Sequence, residues 1–255
     1  MDAILDNETE LQIIEYTTDT AGYTELVFGL FALLGLIFSP HIRDLGDQHL
    51  YRVSNITYQN IEPILKGPLH RNYITDHWDS ILRLAASLKL GYVSASLMIS
   101  KLKSYPKQHV LVKAIQELGK LKKTVHILNA LNSEPYRRRY CAQLNKGEAM
   151  HYLRSYLRYA NEGSIRKSQL DDQANQAACL TLFANAVVVW NTRYSQAIID
   201  RYKAAGGIID EDDLKHFSPC RFEHINKYGK LRFNINKEMN RKGLRPLRNR
   251  REERA

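Results

Sequence analysis

The pattern of hydrophobic and polar positions divides the chain into a beginning with strand signals and a long helical remainder. Leu11 to Tyr16 (LQIIEY) run into the turn-forming TTDTAGY, which predicts a strand ending near Thr18. The apolar stretch from Leu26 to Phe38 predicts one buried helix, stopped before Pro40. A further short strand is expected over Gln48 to Val53 (QHLYRV).

Helical periodicity takes over beyond Pro63. In HWDSILRLAASLKLG, Gly91 stands where a C-cap glycine belongs, and the apolar side chains recur at steps of three and four: Trp78, Ile81, Leu82, Ala85 and Leu88. VSASLMISKLKSYP, HVLVKAIQELGKLKKTVHILNAL and EAMHYLRSYLRYANEG repeat the pattern. From Ser168 to Gly207 it fits either one long helix or two with a break, and residues 230–233 suit a short strand. The expected class is therefore predominantly α with a few strands, α+β.

Composition excludes several kinds of protein. With 44% hydrophobic and 25% charged residues, the chain has a globular composition and not a disordered one. Its longest apolar run falls short of the roughly 18 to 20 residues that a membrane-spanning helix needs, and Met1-Asp2 begins no signal peptide. The cysteines Cys141, Cys179 and Cys220 form no Cys-x-x-Cys pair, which favours a reducing compartment over a zinc ribbon. We expect a cytoplasmic protein with no membrane partner.

The positive charge is concentrated in three regions. The formal net charge is +10, and residues 241–255, which include Arg245 and Arg248, carry seven cations against two carboxylates. A second basic region spans residues 101–123, and a third comprises Arg137, Arg138, Arg139, Lys146, Arg154 and Arg158. Clustered cations give salt-sensitive affinity for nucleic acid because each neutralised phosphate releases counterions. The alternative is a solvated helix face with a disordered tail, but three such regions together favour a polyanionic partner.

Two acidic residues stand in positions unusual for solvated charge, and the sequence has no Gly-rich phosphate loop, Gly-x-Ser-x-Gly elbow or His-Glu-x-x-His helix. Asp19 lies where the first predicted strand meets a turn. It could be a metal ligand there, or it could stabilise an ordinary turn or cap a helix. Glu148 lies in what we interpret as the basic entry to a helix, where a carboxylate also favours the helix dipole. Met150, Leu153, Leu157 and Ala160 form the apolar stripe of that helix, so Glu148 should face away from it.

Six separated segments carry a resemblance to a known family. They are YTTDTAGYTELVFGLFALLG with FSPHIRDLGDQHLY, HWDSILRLAASLKLGYVSASLMISKL with YPKQ, YRRRY with LNKGEA, NAVVVWNTRY, FSPCRFEHINKYG, and GLRPLR. The chain resembles the carboxyl-terminal part of the replicative transposases of the Tn-three family, and these segments cover nearly its whole length.

That resemblance implies DNA cleavage and strand transfer by a DDE triad on an RNase H-like core interrupted by a helical insertion. By motif, Asp19 matches the second aspartate and Glu148 the glutamate; both would be metal ligands. The implied cofactor is Mg²⁺, or Mn²⁺, in a two-metal site held by hard oxygen ligands. The implied partners are the terminal inverted repeats of a transposon and target DNA, with the protein on the bacterial nucleoid when bound. Basic residues from Arg137 to Arg158, with Arg245 and Arg248, are candidate DNA contacts.

The chain also departs from the family pattern. Only eighteen residues precede Asp19, so the family's first aspartate has no counterpart here, and Tyr16 stands where the family usually has His. We expect a truncated, inactive piece partnered by the missing portion or a full-length transposase, with the apolar face of the helix after Leu26 uncovered. The expected parts are a partial core at 1–57, an insertion at 58–143, the glutamate helix with carboxyl-terminal helices at 144–240, and a basic tail at 241–255.

Two other functions remain open at this stage. The chain could be a non-enzymatic, basic helical DNA-binding module that modulates a full-length transposase, which its charge supports. A generic RNA-binding or ribosome-associated protein would also be basic, but it explains none of the six segments.

Overall fold

The chain forms two compact units, Met1–Asn145 and Lys146–Ala255, in a computed structural model. The structure describes residues 1–54, 56–106, 109–158, 164–166, 168–229, 235 and 243–245. It is mostly helical with a few short strands, in agreement with the α+β class expected from the sequence. The four-part division of the chain stays a prediction.

The described elements follow one another as a mixed beginning and a helical continuation. They are α1 (Asp2–Leu5), β1 (Glu15–Tyr16), α2 (Glu25–Leu33), β2 (Ile37–Phe38), β3 (Leu50–Arg52), β4 (Leu65–Pro68), α3 (Arg71–Asp76), α4 (Trp78–Lys89), α5 (Ala95–Ser104), α6 (Val110–Asn132), α7 (Glu134–Leu157), α8 (Leu170–Ala204) and α9 (Glu211–Lys215). No described helix has the length and apolarity needed to cross a membrane.

Strands β1 and β2 form a parallel pair joined through α2. The carbonyl of Tyr16 accepts a hydrogen bond from the amide of Ser39 at 2.9 Å. The pairing continues past the strands, where the carbonyl of Thr18 accepts from the amide of His41 at 2.9 Å. The expected end of this strand near Thr18 is confirmed, but the strand begins at Glu15 and not at Leu11; Asp19 follows its last paired residue.

The single helix expected from Leu26 to Phe38 is wrong, because α2 ends at Leu33 and Ile37–Phe38 form β2. The chain reverses through Gly35, whose φ of 76° lies in the left-handed region. Its amide donates to the carbonyl of Ala32 at 3.1 Å, and the amide of Leu36 donates to that of Phe31 at 2.9 Å. This is a Schellman termination, which turns the apolar chain from helix into strand.

Helices α2 and α6 cross with their backbones in close contact. A Cβ added to Gly29 would lie 2.3 Å from the carbonyl oxygen of Ile115, and one added to Gly119 would lie 1.6 Å from that of Glu25. Leu30 belongs to the same buried cluster as Ile115. The expectation of an uncovered apolar helix face is therefore wrong for α2, because α6 covers it.

The helical hairpin of α4 and α5 extends this core. Gly91 has a φ of 73° and ends α4 as expected. Of the apolar set expected on α4, Ile81, Ala85 and Leu88 are buried, but Trp78 and Leu82 are exposed and Leu84 is buried instead. The buried stripe is therefore rotated from the expected one by part of a turn, because α4 packs on α2 and α6 together.

A second parallel pair, β3 with β4, places Leu50 opposite Leu65. Strand β3 confirms the strand expected over Gln48 to Val53, whereas β4 gave no sequence signal that we recognised. The hydroxyl of Thr124 on α6 accepts from the amide of Tyr51 at 3.1 Å. The long helix α6 therefore supports this strand pair as well as α2.

In the second unit, α8 is one uninterrupted helix, which decides between the two alternatives left open by its periodicity. Its buried residues are Ala184, Val187 and Asn191, of which Ala184 and Val187 form a core with Leu153 of α7. The strand expected at 230–233 lies outside the described residues, as does all of the basic tail except residues 243–245.

Candidate metal and DNA site

Asp19 is an exposed carboxylate at the end of the β1 extension. Its Oδ1 accepts hydrogen bonds from the amide of Thr20 at 2.6 Å and from the hydroxyl of Thr20 at 2.8 Å, which caps the short 3₁₀ helix Thr20–Gly22. Those bonds lower the pKa of Asp19, and the positive charges of His41 and Arg43 lower it further. The cap and a metal ligand are compatible roles, because an ionised carboxylate offers about four lone-pair positions.

His41 and Arg43 are neighbours of Asp19 that the sequence reasoning did not single out. The amide of His41 bonds to Thr18, so the β2 extension brings the HIR segment beside the Asp19 turn. Their position beside Asp19 follows from the parallel strand pairing. It could be predicted only if Phe38 were known to end a strand and not a helix. The region around Asp19 therefore combines a carboxylate with an imidazole and a guanidinium, groups that can donate hydrogen bonds to phosphate.

Glu148 is exposed on α7, but not at a helix entry. The expectation that Lys146 and Gly147 precede the helix is wrong, because α7 begins at Glu134 and runs without a break to Leu157. The first three residues of the expected stripe are confirmed, since Leu153 is fully buried and packs with Met150 and Leu157; Ala160 lies outside the described residues. Glu148 faces away from that buried stripe, as expected.

The donor chemistry of the two carboxylates fits a hard divalent cation. Asp19 is held ionised and exposed, and Glu148 is an exposed oxygen donor. Asp19 lies in the first unit and Glu148 in the second. Among the described residues, no three His, Cys, Asp or Glu side chains are grouped so as to hold a metal ion. The chain thus supplies suitable ligands without a complete three-ligand cluster in that part.

A hydrogen-bonded cluster ties β1 to the first turns of α7. Arg139 contacts the carboxylate of Glu15 through Nε at 3.0 Å and through a terminal nitrogen at 3.1 Å. The hydroxyl of Ser39 donates to Glu15 at 2.6 Å and lies 3.2 Å from the hydroxyl of Tyr136. The strand that leads into Asp19 is therefore fixed to α7 by a two-nitrogen ion pair, the geometry that arginine favours.

His126, a buried residue of α6, is hydrogen-bonded to this cluster. Its Nε2 lies 3.0 Å from the carbonyl of Pro40, which can only accept, so Nε2 carries the proton. Nδ1 then accepts from the hydroxyl of Tyr136 at 2.8 Å. Burial lowers the pKa of His126 and raises that of Tyr136. Both groups are therefore held neutral. No motif in the sequence marks His126.

Comparison with known proteins decides the family. Residues 1–231 match the model of the Tn3 transposase DDE domain. The chain belongs to this family. It is 41% identical, over 97% of its length, to the transposase for transposon Tn1546 from Enterococcus faecium, and 41% identical over the same share to that for Tn501 from Pseudomonas aeruginosa. It is 36% identical over 97% of its length to that for gamma-delta from Escherichia coli strain K12.

The chain spans about a quarter of the length of these curated relatives, since each match covers 25% of the relative. Transposases act on DNA, and DDE transposase families generally use divalent metal ions. The resemblance to the Tn-three family read from the sequence is thereby confirmed.

Among the basic residues considered as DNA contacts, the three arginines at the start of α7 differ in availability. Arg137 donates to the carbonyls of Ala130 and Leu131, the latter at 3.2 Å, and so caps α6. Arg139 is engaged with Glu15. Arg138 is highly exposed and makes only an exposed ion pair with Glu134 at 2.7 Å, which is worth little in water. Arg138 is therefore the one of the three whose guanidinium is exposed and only weakly engaged.

The remaining candidates lie in the second unit of this transposase domain. Lys146 is exposed. Arg158 donates to Gln176 at 2.7 Å, and Arg154 is half-buried beside the α7 core residues. Arg245 accepts from the hydroxyl of Tyr194 at 2.7 Å through its backbone carbonyl, which leaves its guanidinium out of that bond. Arg248 lies outside the described residues. No DNA contact is assigned by these positions, and the set stays a prediction.

Proposed function

We propose that this chain is part of a DDE transposase that binds DNA and carries out metal-dependent strand cleavage and strand transfer in replicative transposition. The observation that carries the proposal is the family match over residues 1–231, in a chain whose motif aspartate, Asp19, follows a parallel strand. A carboxylate placed there has a backbone fixed by inter-strand hydrogen bonds, as a catalytic ligand requires. The RNase H-like core and its helical insertion are part of the proposal.

In this proposal Asp19 and Glu148 hold Mg²⁺ or Mn²⁺ together with the family's first aspartate. When bound, the two metal ions activate the attacking water or 3′-hydroxyl and stabilise the leaving oxygen of an in-line phosphodiester displacement. The protein's part is to keep its carboxylates ionised and in place. The Thr20 hydrogen bonds and the charges of His41 and Arg43 do this for Asp19.

The proposed substrates and partners are the terminal inverted repeats of a transposon, target DNA, and transposase sequence that supplies the first aspartate. The 255 residues contain two of the three motif carboxylates, and two cannot organise a two-metal site. We therefore propose that these residues alone do not cleave DNA. The same charge and motifs would let them act by binding DNA beside a full-length transposase.

A nicking assay tests this proposal. Supercoiled DNA carrying transposon ends is incubated with the chain and Mg²⁺ or Mn²⁺, alone and with transposase sequence that contains the first aspartate. We expect no nicking by the chain alone and metal-dependent nicking by the combination. Asp19→Asn and Glu148→Gln should each abolish the combined activity, whereas Asp200→Asn on exposed α8 should leave it unchanged. Nicking by the combination that survives both carboxylate substitutions would refute the assignment.

A further inference from the structure

Residues 217–229 form a loop, here called the anchored loop, that has no helix or strand but is held in place at several points. Asn191 donates from Nδ2 to the carbonyls of Pro219 at 2.6 Å and Arg221 at 2.7 Å. The hydroxyl of Tyr156 donates to the carbonyl of Ile225 at 2.7 Å. These side chains come from α7 and α8, so two helices fix the path of the loop backbone.

The inward side chains of the anchored loop complete the core of the second unit. Cys220, Phe222 and Ile225 pack against the cluster around Leu153. The ring of Phe222 stacks on Tyr156, with centroids 4.5 Å apart. A surface loop with an apolar inner side and satisfied carbonyls is a rigid support for whatever its outer side presents.

The outer side presents flat rings and cations. His224 stacks on Trp190 with an interplanar angle of 17° and centroids 5.1 Å apart, and Trp190 packs in turn on Tyr194 at 4.4 Å. Trp190 remains 40% exposed, and Tyr228 of the loop is 74% exposed. Three rings in succession, ending at an exposed imidazole, form a stack with an open end at the surface.

The anchored loop also carries two cations, Arg221 and Lys227. Lys227 lies over the ring of Tyr156 at 4.3 Å, and Arg221 makes only an exposed ion pair with Glu223 at 3.0 Å. Exposed ion pairs contribute little, so Arg221 can exchange its carboxylate for a phosphate at small cost. A loop that carries a stacking ring, a lysine and an arginine has the kinds of group that bind single-stranded nucleic acid, with bases on rings and the backbone on cations.

We propose that the anchored loop is a contact surface for unpaired DNA, in which a base stacks on His224 and extends the ring stack through Trp190. Arg221 and Lys227 contact the adjoining phosphates. The inference rests on the proposed function in taking DNA as the partner. Unpaired and not duplex DNA is the ligand, because in a duplex the neighbouring base pairs cover the ring faces that a stack requires. Strand ends at a cleavage or joining step offer such bases.

The first experiment measures the affinity of the chain for labelled oligothymidylate and for the matching duplex by fluorescence anisotropy. His224→Ala should weaken binding to the single strand by about fivefold to about a hundredfold, the range expected for loss of one base stack, and leave duplex binding unchanged. His224→Phe, which keeps a flat ring, should retain the affinity. His216→Ala is the matched control, because His216 is an exposed histidine just outside the loop with no ring partner among the stacks described.

A second measurement reports the stack directly. The chain has two tryptophans, so Trp78→Phe leaves Trp190 as the only indole. Oligothymidylate should quench the Trp190 fluorescence, and His224→Ala should reduce that quenching. Thermal unfolding of each variant shows whether the fold is retained.

The outcomes separate this inference from the proposed function. Equal binding of single strand and duplex, with no effect of His224→Ala, overturns the anchored loop as a stacking surface while DNA binding stands. Equal losses for His224→Ala and His216→Ala also overturn it, because a general charge effect would then explain both. No binding to either DNA removes the DNA partner and with it the basis of both proposals.

Discussion

At the scale of single residues, the side chains that matter most around Asp19 are those that the fold brings to it. Asp19 and Glu148 were selected from the sequence because motifs mark them. His41, Arg43 and His126 carry no motif of their own, and their importance follows from strand pairing and burial. Sequence reasoning therefore located the two candidate ligands but not the charges and hydrogen bonds around them.

His126 should make the stability of the first unit depend on pH. Burial in the folded state holds its pKa below the ordinary 6.5, so the unfolded chain takes up the proton first as the pH falls. The stabilisation is therefore present above about pH 6.5 and is lost as the pH falls toward the folded-state pKa. The lowered pKa values of Asp2, Asp19 and Glu223 act only in a more acidic range.

Urea unfolding at about pH 7.5 and about pH 5.5 checks this linkage. The free energy of unfolding should fall between the two pH values for the unmodified chain. His126→Gln should lower the free energy at the higher pH but flatten its dependence on pH, since Gln does not titrate. His216→Gln, at an exposed position, should keep the original slope. An unchanged slope in His126→Gln would show that other groups are responsible.

At the scale of elements, sequence periodicity predicted regular helices and isolated strands but not the change from one to the other. The end of α4 at Gly91 could be predicted from the sequence because the apolar stripe of the helix stops there. The end of α2 was not, because Leu33 to Phe38 stay apolar while the chain passes from helix through Gly35 into strand. An apolar helix end and an apolar strand have the same composition, and only the position of Gly35 separates them.

The crossing of α2 and α6 gives a prediction at this scale. Gly119→Ala should destabilise the first unit by about 1 to 3 kcal/mol or more, because its Cβ would overlap the backbone of Glu25 and the two helices would have to separate. Gly147→Ala is the matched control, since no heavy atom lies within 4 Å of its added Cβ and the residue lies inside α7. It should stabilise the chain by up to about 1 kcal/mol through helix propensity.

Denaturant titrations of both variants measure the two effects. The outcome that contradicts the close crossing is a Gly119→Ala chain as stable as the unmodified one, with Gly147→Ala showing that an increase can be detected.

At the scale of the whole molecule, the net charge indicates the class of partner that the chain can bind but not which residues contact that partner. Half of the net charge of +10 comes from residues 241–255, and the arginines at the start of α7 differ in the groups that they contact. Arg137 and Arg139 stabilise the fold, and Arg138 and Lys146 remain exposed. Charge clustering in the sequence could not distinguish these roles, because the carbonyls and carboxylate that engage the first two lie elsewhere in the chain.

Binding of duplex DNA should therefore be steeply dependent on salt. The slope of log K against log salt falls by about 0.9 for each phosphate contact. Removing residues 241–255 should reduce the slope and leave binding by the rest of the chain, and Arg138→Gln with Lys146→Gln should reduce it further. Anisotropy at several salt concentrations measures this. Binding that is unchanged at every ionic strength after removal of the tail would exclude a DNA role for those residues.

The packing that stabilises the 35-residue helix α8 is unevenly distributed along its length. Its three buried residues are Ala184, Val187 and Asn191. A helix rises about 1.5 Å per residue, so roughly 50 Å of helix has its tightly packed part within about two turns. Beyond that part, helix propensity contributes most of the support, and an isolated helical segment of this kind is marginal in water. Amide hydrogen exchange should accordingly be slowest near the middle of α8 and accelerate toward both ends, so that opening of this helix is graded along its length and not all-or-none.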